Sequence, residues 1–325
     1  MISESASFDG SRTRKVASRG IAFAAVALAI GCGGTTPAPM DGGGTLPMLP
    51  AATRGTIGNP TEAPSAYGCT GSAPAPGIDI PVNFDLIYFG GTDGAPEARI
   101  WFFPDNVVQD TCVAPLCQEV MTDLDGRAMV TARANGWYAY RVFGRDDLPT
   151  SATRFAGSFQ YNEPAPAAAG GMVEGNAVSE QTLALIPAVL GFPRTPGTTL
   201  LAGTVLDCDG NPVHGAIPRA FGPDGVEIAE GPRNMDPHYR FFNGDSTPDG
   251  ERTYTHVDGL FAGVNIPVSA SPADLVRVEA WGSLDGTSPP MRLGCEAIRV
   301  FADEVTIVNI GPMRSDDPAD HPCAP

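Results

Sequence analysis

Residues 200–216 read LLAGTVLDCDGNPVHGA, and this stretch decides the fold. Its first seven residues are mostly apolar and β-prone, and almost all of the next six, DCDGNP, are turn-forming. Asp, Gly, Asn and Pro each favour a turn for a separate physical reason. Because apolar character resumes at Val213, the stretch predicts a strand, a tight turn and a second strand.

A second turn followed by apolar residues lies about forty positions further on, at residues 255–261 (THVDGLF). Together the two segments resemble the carboxypeptidase regulatory-like domain, whose pattern is G-x-V-x-D-x-x-G-x-P-V-x-G-A followed later by T-D-x-x-G-x-F. The matching positions are Gly203, Val205, Asp207, Gly210, Pro212, Val213, Gly215 and Ala216 in the first segment, and Thr255, Gly259 and Phe261 in the second. Asp258 lies beside the glycine, and His256 stands where the family usually has Asp.

This resemblance covers about a third of the chain and implies a small transthyretin-like β-sandwich for that part. It implies no activity, because such modules usually bind or space other parts and carry out no chemistry.

Composition favours the same fold class for the rest of the chain. The 325 residues have room for two domains with a core each, and 32 Pro and 39 Gly favour short strands joined by turns over long helices. The formal net charge of −17 argues against nucleic acid as a partner. Lys15 is the only lysine, which excludes P-loop and Schiff-base chemistry from the rest of the chain.

We therefore predict an all-β protein with two small antiparallel β-sandwich domains, joined by a short helical connector and preceded by a disordered tether. The predicted segments are a signal peptide at 1–31, the Pro/Gly-rich tether at 32–77, a first sandwich at 78–163, the connector at 164–198, the carboxypeptidase-regulatory-like sandwich at 199–314 and a tail at 315–325. The sequence TDLDG at 122–126 resembles THVDG at 255–259, which indicates either an internal repeat or a chance similarity of two turns.

The connector contains the one helical pattern, at residues 179–190. Ser179 can act as N-cap, and Leu183, Ile186 and Leu190 share a face. Pro187 is expected to kink or end the helix, and the glycine at 191 can stop it.

The N-terminal residues resemble a bacterial lipoprotein signal. A positively charged segment is followed by an apolar run at 21–30 that is too short to span a bilayer, and then by Gly31 and Cys32. The resemblance implies cleavage before Cys32 and acylation of its side chain, so the membrane is an expected partner through a lipid anchor. Gly33 after the cysteine favours the outer membrane by analogy. An ordinary cleaved signal peptide is the alternative.

Six cysteines remain after Cys32, and an even number in an exported chain predicts disulfides. Six cysteines allow fifteen pairings, which the sequence leaves open. Our interpretation pairs Cys208 with Cys295 inside the second sandwich, Cys112 with Cys117 as a hairpin staple, and Cys69 with Cys323 by elimination.

Metal chemistry has weak support in the sequence. The opening motif of this chain is also similar to that of intradiol ring-cleavage dioxygenases, whose iron is bound by two Tyr and two His. Tyr239 and Tyr254 are candidate iron ligands here, but the H-x-H pair that the iron needs is absent. Acidic turns could supply oxygens to calcium, at Asp123/Asp125, Asp207/Asp209 and Asp245/Asp249/Glu251. Turn capping by Asp is the simpler interpretation, so we predict no cofactor, metal or catalytic residue.

These observations predict a lipid-anchored cell-envelope protein that is not an enzyme. It is expected to act as a binding or display module whose loops contact a protein or glycan ligand. A purely structural spacer and a divergent intradiol-dioxygenase-like metalloenzyme are the alternatives.

Overall fold

The chain has an all-β sandwich fold with one α-helix among the residues that can be described. The computed structural model describes residues 77–245, 247–268, 271, 274–283, 288–312 and 323, and the backbone of two short strands at 53–56 and 59–62. The predicted signal peptide, the lipidation site and most of the predicted tail lie outside these residues.

In chain order the elements are β1 (Thr53–Thr56), β2 (Asn59–Glu62), β3 (Asp79–Tyr88), β4 (Arg99–Phe103), β5 (Gln118–Met121), β6 (Arg127–Arg133), β7 (Trp137–Val142), β8 (Ser158–Pro164), β9 (Met172–Ala177), α1 (Glu180–Leu190), β10 (Thr198–Val205), β11 (Val213–His214), β12 (Ile217–Phe221), β13 (His238–Phe242), β14 (Pro248–Asp249), β15 (Leu260–Pro267), β16 (Val276–Gly282), β17 (Met291–Ile298) and β18 (Val305–Ile310).

A nine-stranded sheet runs through both halves of the molecule in the order β14-β13-β15-β10-β18-β8-β7-β4-β5. It draws strands from both predicted sandwiches, and the two sets meet where β8 and β18 pair in parallel, with Ser158 opposite Val305 and Tyr161 opposite Val308. β18 also pairs in parallel with β10. The sandwich is therefore not purely antiparallel, and a continuous ladder of backbone hydrogen bonds joins its halves.

Three smaller sheets have the orders β6-β3-β9, β12-β16-β17 and β11-β1-β2. Alternate side chains of the long sheet point to opposite faces. In its first half, Phe102 and Tyr140 pack with Phe84 of β3 in one core. In its second half, the residues of the other face, such as Val205, pack against β16 residues such as Val278.

The two halves of the sequence motif meet at Thr255, which is fully buried. Its hydroxyl donates to the Val213 carbonyl at 2.6 Å and accepts from the Ala216 amide at 3.0 Å. Asp207 Oδ1 accepts the amides of Asp209 and Asn211, both at 2.9 Å, and so closes the predicted tight turn. Asp207 therefore stabilises the turn, and Thr255 joins the two motif segments through hydrogen bonds.

Glycine is required where backbones approach closely. A Cβ at Gly203 would lie 1.8 Å from the Val308 carbonyl oxygen on β18. Gly259 has a φ of +65°, and a Cβ there would lie 2.7 Å from the Val205 carbonyl oxygen.

The predicted helix is confirmed as α1. Ser179 caps it by accepting the Thr182 amide at 3.0 Å, and Gly191 ends it with a φ of 88°. Pro187 lies inside the helix, which continues to Leu190. The helix packs through Leu183 and Leu190 on the second half of the long sheet.

Three strands lie in segments that the sequence assigned to linkers. β9 falls in the predicted connector and pairs in parallel with β3. β1 and β2 fall in the predicted tether, where they pair with each other, and β1 also pairs with β11. The sequence of β9, MVEGNA, has residues with low β-propensity, so pairing with a neighbouring strand decides its structure.

The disulfide interpretation is partly wrong. The Cys112–Cys117 bond forms as predicted, but Cys295 pairs with Cys323. This corrects both the Cys208–Cys295 and the Cys69–Cys323 assignments. Cys208 is itself disulfide-bonded, and Cys69 lies outside the described residues. Pairing requires Cα atoms within about 7 Å of each other, a distance that cysteine spacing along a chain does not reveal.

A polar network lies where the two halves of the long sheet meet. Asn162 on β8 donates through Nδ2 to the Asn309 carbonyl on β18 at 2.9 Å, and Asn309 Nδ2 donates to Glu163 Oε1 at 2.8 Å. Gln160 also donates to Glu163, and the Tyr140 hydroxyl donates to Gln160. Burial raises the pKa of Glu163 to about 7, although the two amide hydrogen bonds oppose the shift.

We expect Glu163→Gln to remove part of the pH dependence of stability. Because the folded-state pKa of Glu163 is raised, its neutral form favours folding below about pH 4.5, and this contribution is lost as pH rises towards 7. The Tm of the wild type, measured by thermal denaturation, should therefore fall relative to that of the variant as pH rises from about 4.5 to about 7. Parallel Tm profiles for the two proteins would contradict the assignment.

We expect Gly203→Ala to destabilise the fold by roughly 2 kcal/mol or more, because the new Cβ forces β10 away from β18. Gly250→Ala is the matched control, since a Cβ there meets nothing within 4 Å. Denaturant unfolding measures both free energies. Similar values for the two variants would show that the close approach of β10 and β18 is not needed.

Candidate binding face on the open side of the long sheet

One face of the nine-stranded sheet packs on another sheet in the second half of the molecule and approaches solvent in the first half. In the second half it packs on β12-β16-β17, whereas in the first half it ends at the margin of that core, where Trp101 and Phe301 are only partly buried. We call this part of the sheet the arginine–aromatic face. Its members are Arg99, Trp101, Glu119, Met121, Arg141, Phe143, Phe159, Phe301 and Glu304.

Strand register places rings and charges in rows across the strands. Trp101 on β4 lies opposite Glu119 on β5 and opposite Arg141 on β7. Arg141 in turn lies opposite Phe159 on β8. Directly opposed side chains on a sheet are in contact range, so each row forms a continuous strip of side chains.

Guanidinium groups alternate with rings over the face. The Phe143 ring lies between Arg99 and Arg141, whose Cζ atoms are 4.5 and 4.4 Å from its centroid. Trp101 meets Phe143 edge to face, with centroids 4.8 Å apart. These distances are those of cation–π and aromatic pairs, which hold the side chains in one arrangement.

The inner end of the face is a largely buried ion pair between the two halves of the molecule. Arg141 Nη2 lies 2.6 Å from Glu304 Oε1, and each side chain is 16% exposed. Burial raises the pKa of Glu304, and Arg141 opposes that shift. Gly157 leaves room for the carboxylate, since a Cβ there would lie 2.6 Å from Glu304 Cδ.

The outer end of the face is open to solvent. Glu119 Oε2 accepts from Arg99 Nη2 at 2.8 Å and from Trp101 Nε1 at 2.7 Å. The hydrogen bonds from Arg99 and then Trp101 lower the pKa of Glu119. The side chains of Arg99 and Glu119 are 46% and 48% exposed, and Met121 beside them is 58% exposed. This end presents charged and apolar groups together.

Tyr254, one of the two tyrosines considered as iron ligands, lies near a pair of histidines. His214 lies 5.6 Å from His256 and 5.7 Å from Tyr254, measured between ring centroids. Tyr239 instead donates its hydroxyl to the Ile228 carbonyl at 2.8 Å. His238 stacks on a phenylalanine ring at 3.5 Å. Burial, followed by the nearby His256, lowers the pKa of His214.

The acidic turns use their carboxylates on their own backbone. Asp123 Oδ1 accepts the amides of Asp125 and Arg127, and Asp249 accepts the amide of Glu251. Over the described ranges, no group of three His, Cys, Asp or Glu side chains is placed to hold a metal ion.

Sequence reasoning missed the arginine–aromatic face because it treated residues 98–103 and 137–143 only as strands. The available signal was an arginine two residues before an aromatic residue, Arg99 before Trp101 in β4 and Arg141 before Phe143 at the end of β7. Which face of these strands stays uncovered depends on how the sheets pack.

A groove of about 750 Å³ lies beside α1, with Ala184, Pro187 and Phe192 among its lining residues. Its other lining residues are apolar except for Glu180 and the Arg194–Asp303 ion pair. Within the part of the chain described, no helix has the length and apolar character needed to cross a membrane.

No family model and no curated protein matches the chain. Among solved structures, it is similar to an intradiol ring-cleavage dioxygenase from Tetranychus urticae at 12% identity and a TM-score of 0.17, over 34% of this chain and 64% of that one. It is also similar to a streptococcal ancillary pilin, at 16% identity and a TM-score of 0.18 over 73% and 70% of the two chains. The minor pilin of Streptococcus agalactiae is 9% identical, with a TM-score of 0.18 over 72% and 96%. This chain thus spans less than two thirds of the dioxygenase, and TM-scores this low assign no function.

Proposed function

We propose that this protein is a non-catalytic binding module displayed in the cell envelope, and that its ligand contacts the arginine–aromatic face. The observation that carries the proposal is the row from Glu119 through Trp101 to Arg141, which runs from a solvent-exposed end at Glu119 to a largely buried end at Arg141. Tryptophan and arginine are the residues most enriched in binding hot spots.

The restricted side-chain conformations of this face favour a binding site over a purely structural spacer. Ion pairs and rings hold Arg99 and Arg141 in place, so a ligand meets side chains whose rotamers are already restricted. Preorganisation of this kind lowers the entropy cost of binding. A spacer needs only a soluble surface there.

The envelope location is supported by the N-terminal sequence and by the disulfides. The apolar run before Cys32 is typical of export, and Cys112–Cys117 and Cys295–Cys323 bonds are stable in an oxidising compartment. We propose that acylation of Cys32 anchors the protein, with the outer membrane as the favoured site. Several acyl chains on one residue give stable membrane attachment.

We expect Cys32→Ser to leave the protein in the soluble fraction of a cell-envelope extract, because the acylated side chain is lost. Fractionation followed by immunoblotting measures the distribution, with the wild type as control. If the variant still partitions wholly with membranes, the lipid anchor at Cys32 is wrong.

In the Cys32→Ser background, which removes the proposed lipid anchor, we expect Trp101→Ala to weaken retention of the chain on cell-envelope preparations by about tenfold or more, since it removes the central ring of the row. Cosedimentation over a range of protein concentrations measures the affinity. Met172→Ala is the matched control, because this side chain is 69% exposed on the outer face of the β6-β3-β9 sheet.

Equal retention of the Cys32→Ser chain and its folded Trp101→Ala variant would contradict the proposed binding face. Thermal denaturation checks that the variant is folded. Arg99→Ala serves as a second variant. The Arg99 side chain is 46% exposed, so we expect its removal to leave the protein folded.

A further inference from the structure

We propose that the ligand of the arginine–aromatic face is a neutral polysaccharide that lies across β5 and β4. This inference rests on the proposed function and adds the chemical class of the ligand. It depends on the charge balance of the face, on its hydrogen-bonding groups and on the spacing of its rows.

Charge balance favours a neutral ligand. Arg99 is paired with Glu119 and Arg141 with Glu304, so the face contributes no net charge. An anionic polymer would meet the Glu119 carboxylate and a chain of net charge −17. A cationic ligand would have to compete with the two guanidinium groups for their carboxylates. A ligand without charge meets neither obstacle.

The open end of the face offers donors and an acceptor side by side. Arg99 Nη2 and Trp101 Nε1 both donate to Glu119 Oε2, which leaves Glu119 Oε1 without a hydrogen bond among the described residues. A hydroxyl group both donates and accepts. Neighbouring hydroxyls of a sugar can therefore bond to Glu119 Oε1 and to the solvent-exposed N–H groups of Arg99 at the same time.

Apolar surface lies next to these polar groups. Trp101 is partly exposed and Met121 is 58% exposed on the neighbouring strand. A pyranose ring has one face lined with C–H groups, and aromatic rings and thioethers pack well against such a surface. The face thus combines the two kinds of contact that a sugar ring offers.

The rows match the repeat of a polysaccharide. Neighbouring strands lie about 4.8 Å apart, and a 1,4-linked pyranose chain advances by roughly the same distance per sugar. A chain that crosses the strands would place successive sugars over Glu119 and Trp101, which lie opposite each other in one row, and it would end beside the largely buried Arg141.

The test uses the mature chain and a panel of soluble neutral polysaccharides, among them 1,4-linked glucans and mannans, with heparin as the acidic comparison. Affinity electrophoresis measures how far each polysaccharide slows the protein. We expect at least one neutral polysaccharide to slow the wild type. Raising salt from roughly 0.05 to roughly 0.5 M should leave this binding unchanged, because no charge is neutralised.

Glu119→Gln and Trp101→Ala are each expected to weaken the binding by about tenfold or more. The glutamine variant keeps the shape of the side chain and changes a 48% exposed site, so it should remain folded. Met172→Ala should bind as the wild type does. The inference is overturned if no neutral polysaccharide binds, if only heparin binds and is released by salt, or if the variants bind like the wild type.

A separate arm distinguishes this inference from the proposed function. Cell-envelope preparations are treated with protease before cosedimentation with the Cys32→Ser chain, with and without Trp101→Ala. Retention that depends on Trp101 and survives protease supports a glycan ligand. Retention that depends on Trp101 but is abolished by protease overturns the glycan inference and leaves the binding face standing, with a protein as its ligand.

Discussion

The parallel pairing of β8 with β18 is the constraint on which the rest of the structure depends. It joins the two sets of strands into one sheet, and it requires close backbone contact on both sides of β18. Gly203 allows β10 to lie beside β18, and Gly157 lets Glu304 reach Arg141. The halves of the molecule are thus held together by backbone hydrogen bonds, a largely buried ion pair and the network around Glu163. The Arg141–Glu304 ion pair and the bonds that join Asn309 to Asn162 and Glu163 each place a residue from one half against a residue from the other.

This junction also determines where the arginine–aromatic face lies. In the first half, one face of the long sheet packs on β6-β3-β9, and the opposite face, which packs on β12-β16-β17 in the second half, ends at the edge of that core. A bare apolar sheet face there would favour aggregation. Guanidinium groups over the rings give the face polar surface while the rings keep their packing. The same arrangement keeps the side chains in place for a ligand.

Some predictions from the sequence depended only on neighbouring residues, and these were the most accurate. The turn at Asp207, the helix capped by Ser179 and the Cys112–Cys117 bond each involve groups a few positions apart. The partner of Cys295 and the strand β9 depend on segments that meet only after folding. The arginine–aromatic face belongs to the second kind. Its residues were assigned to strands, but nothing in the sequence showed which side of the strands would remain open.

By itself, the sequence determined the fold class, the turn chemistry of the motif, the helix and the expectation of export, because these follow from propensity, local hydrogen bonding and hydrophobic pattern. Only the tertiary structure decided that the two predicted sandwiches share a sheet and that Arg99, Trp101 and Arg141 form one surface. The physical reason is that strand pairing and sheet packing are long-range. Alternation assigns each side chain to one of two faces, but the faces acquire different environments only when another sheet covers one of them.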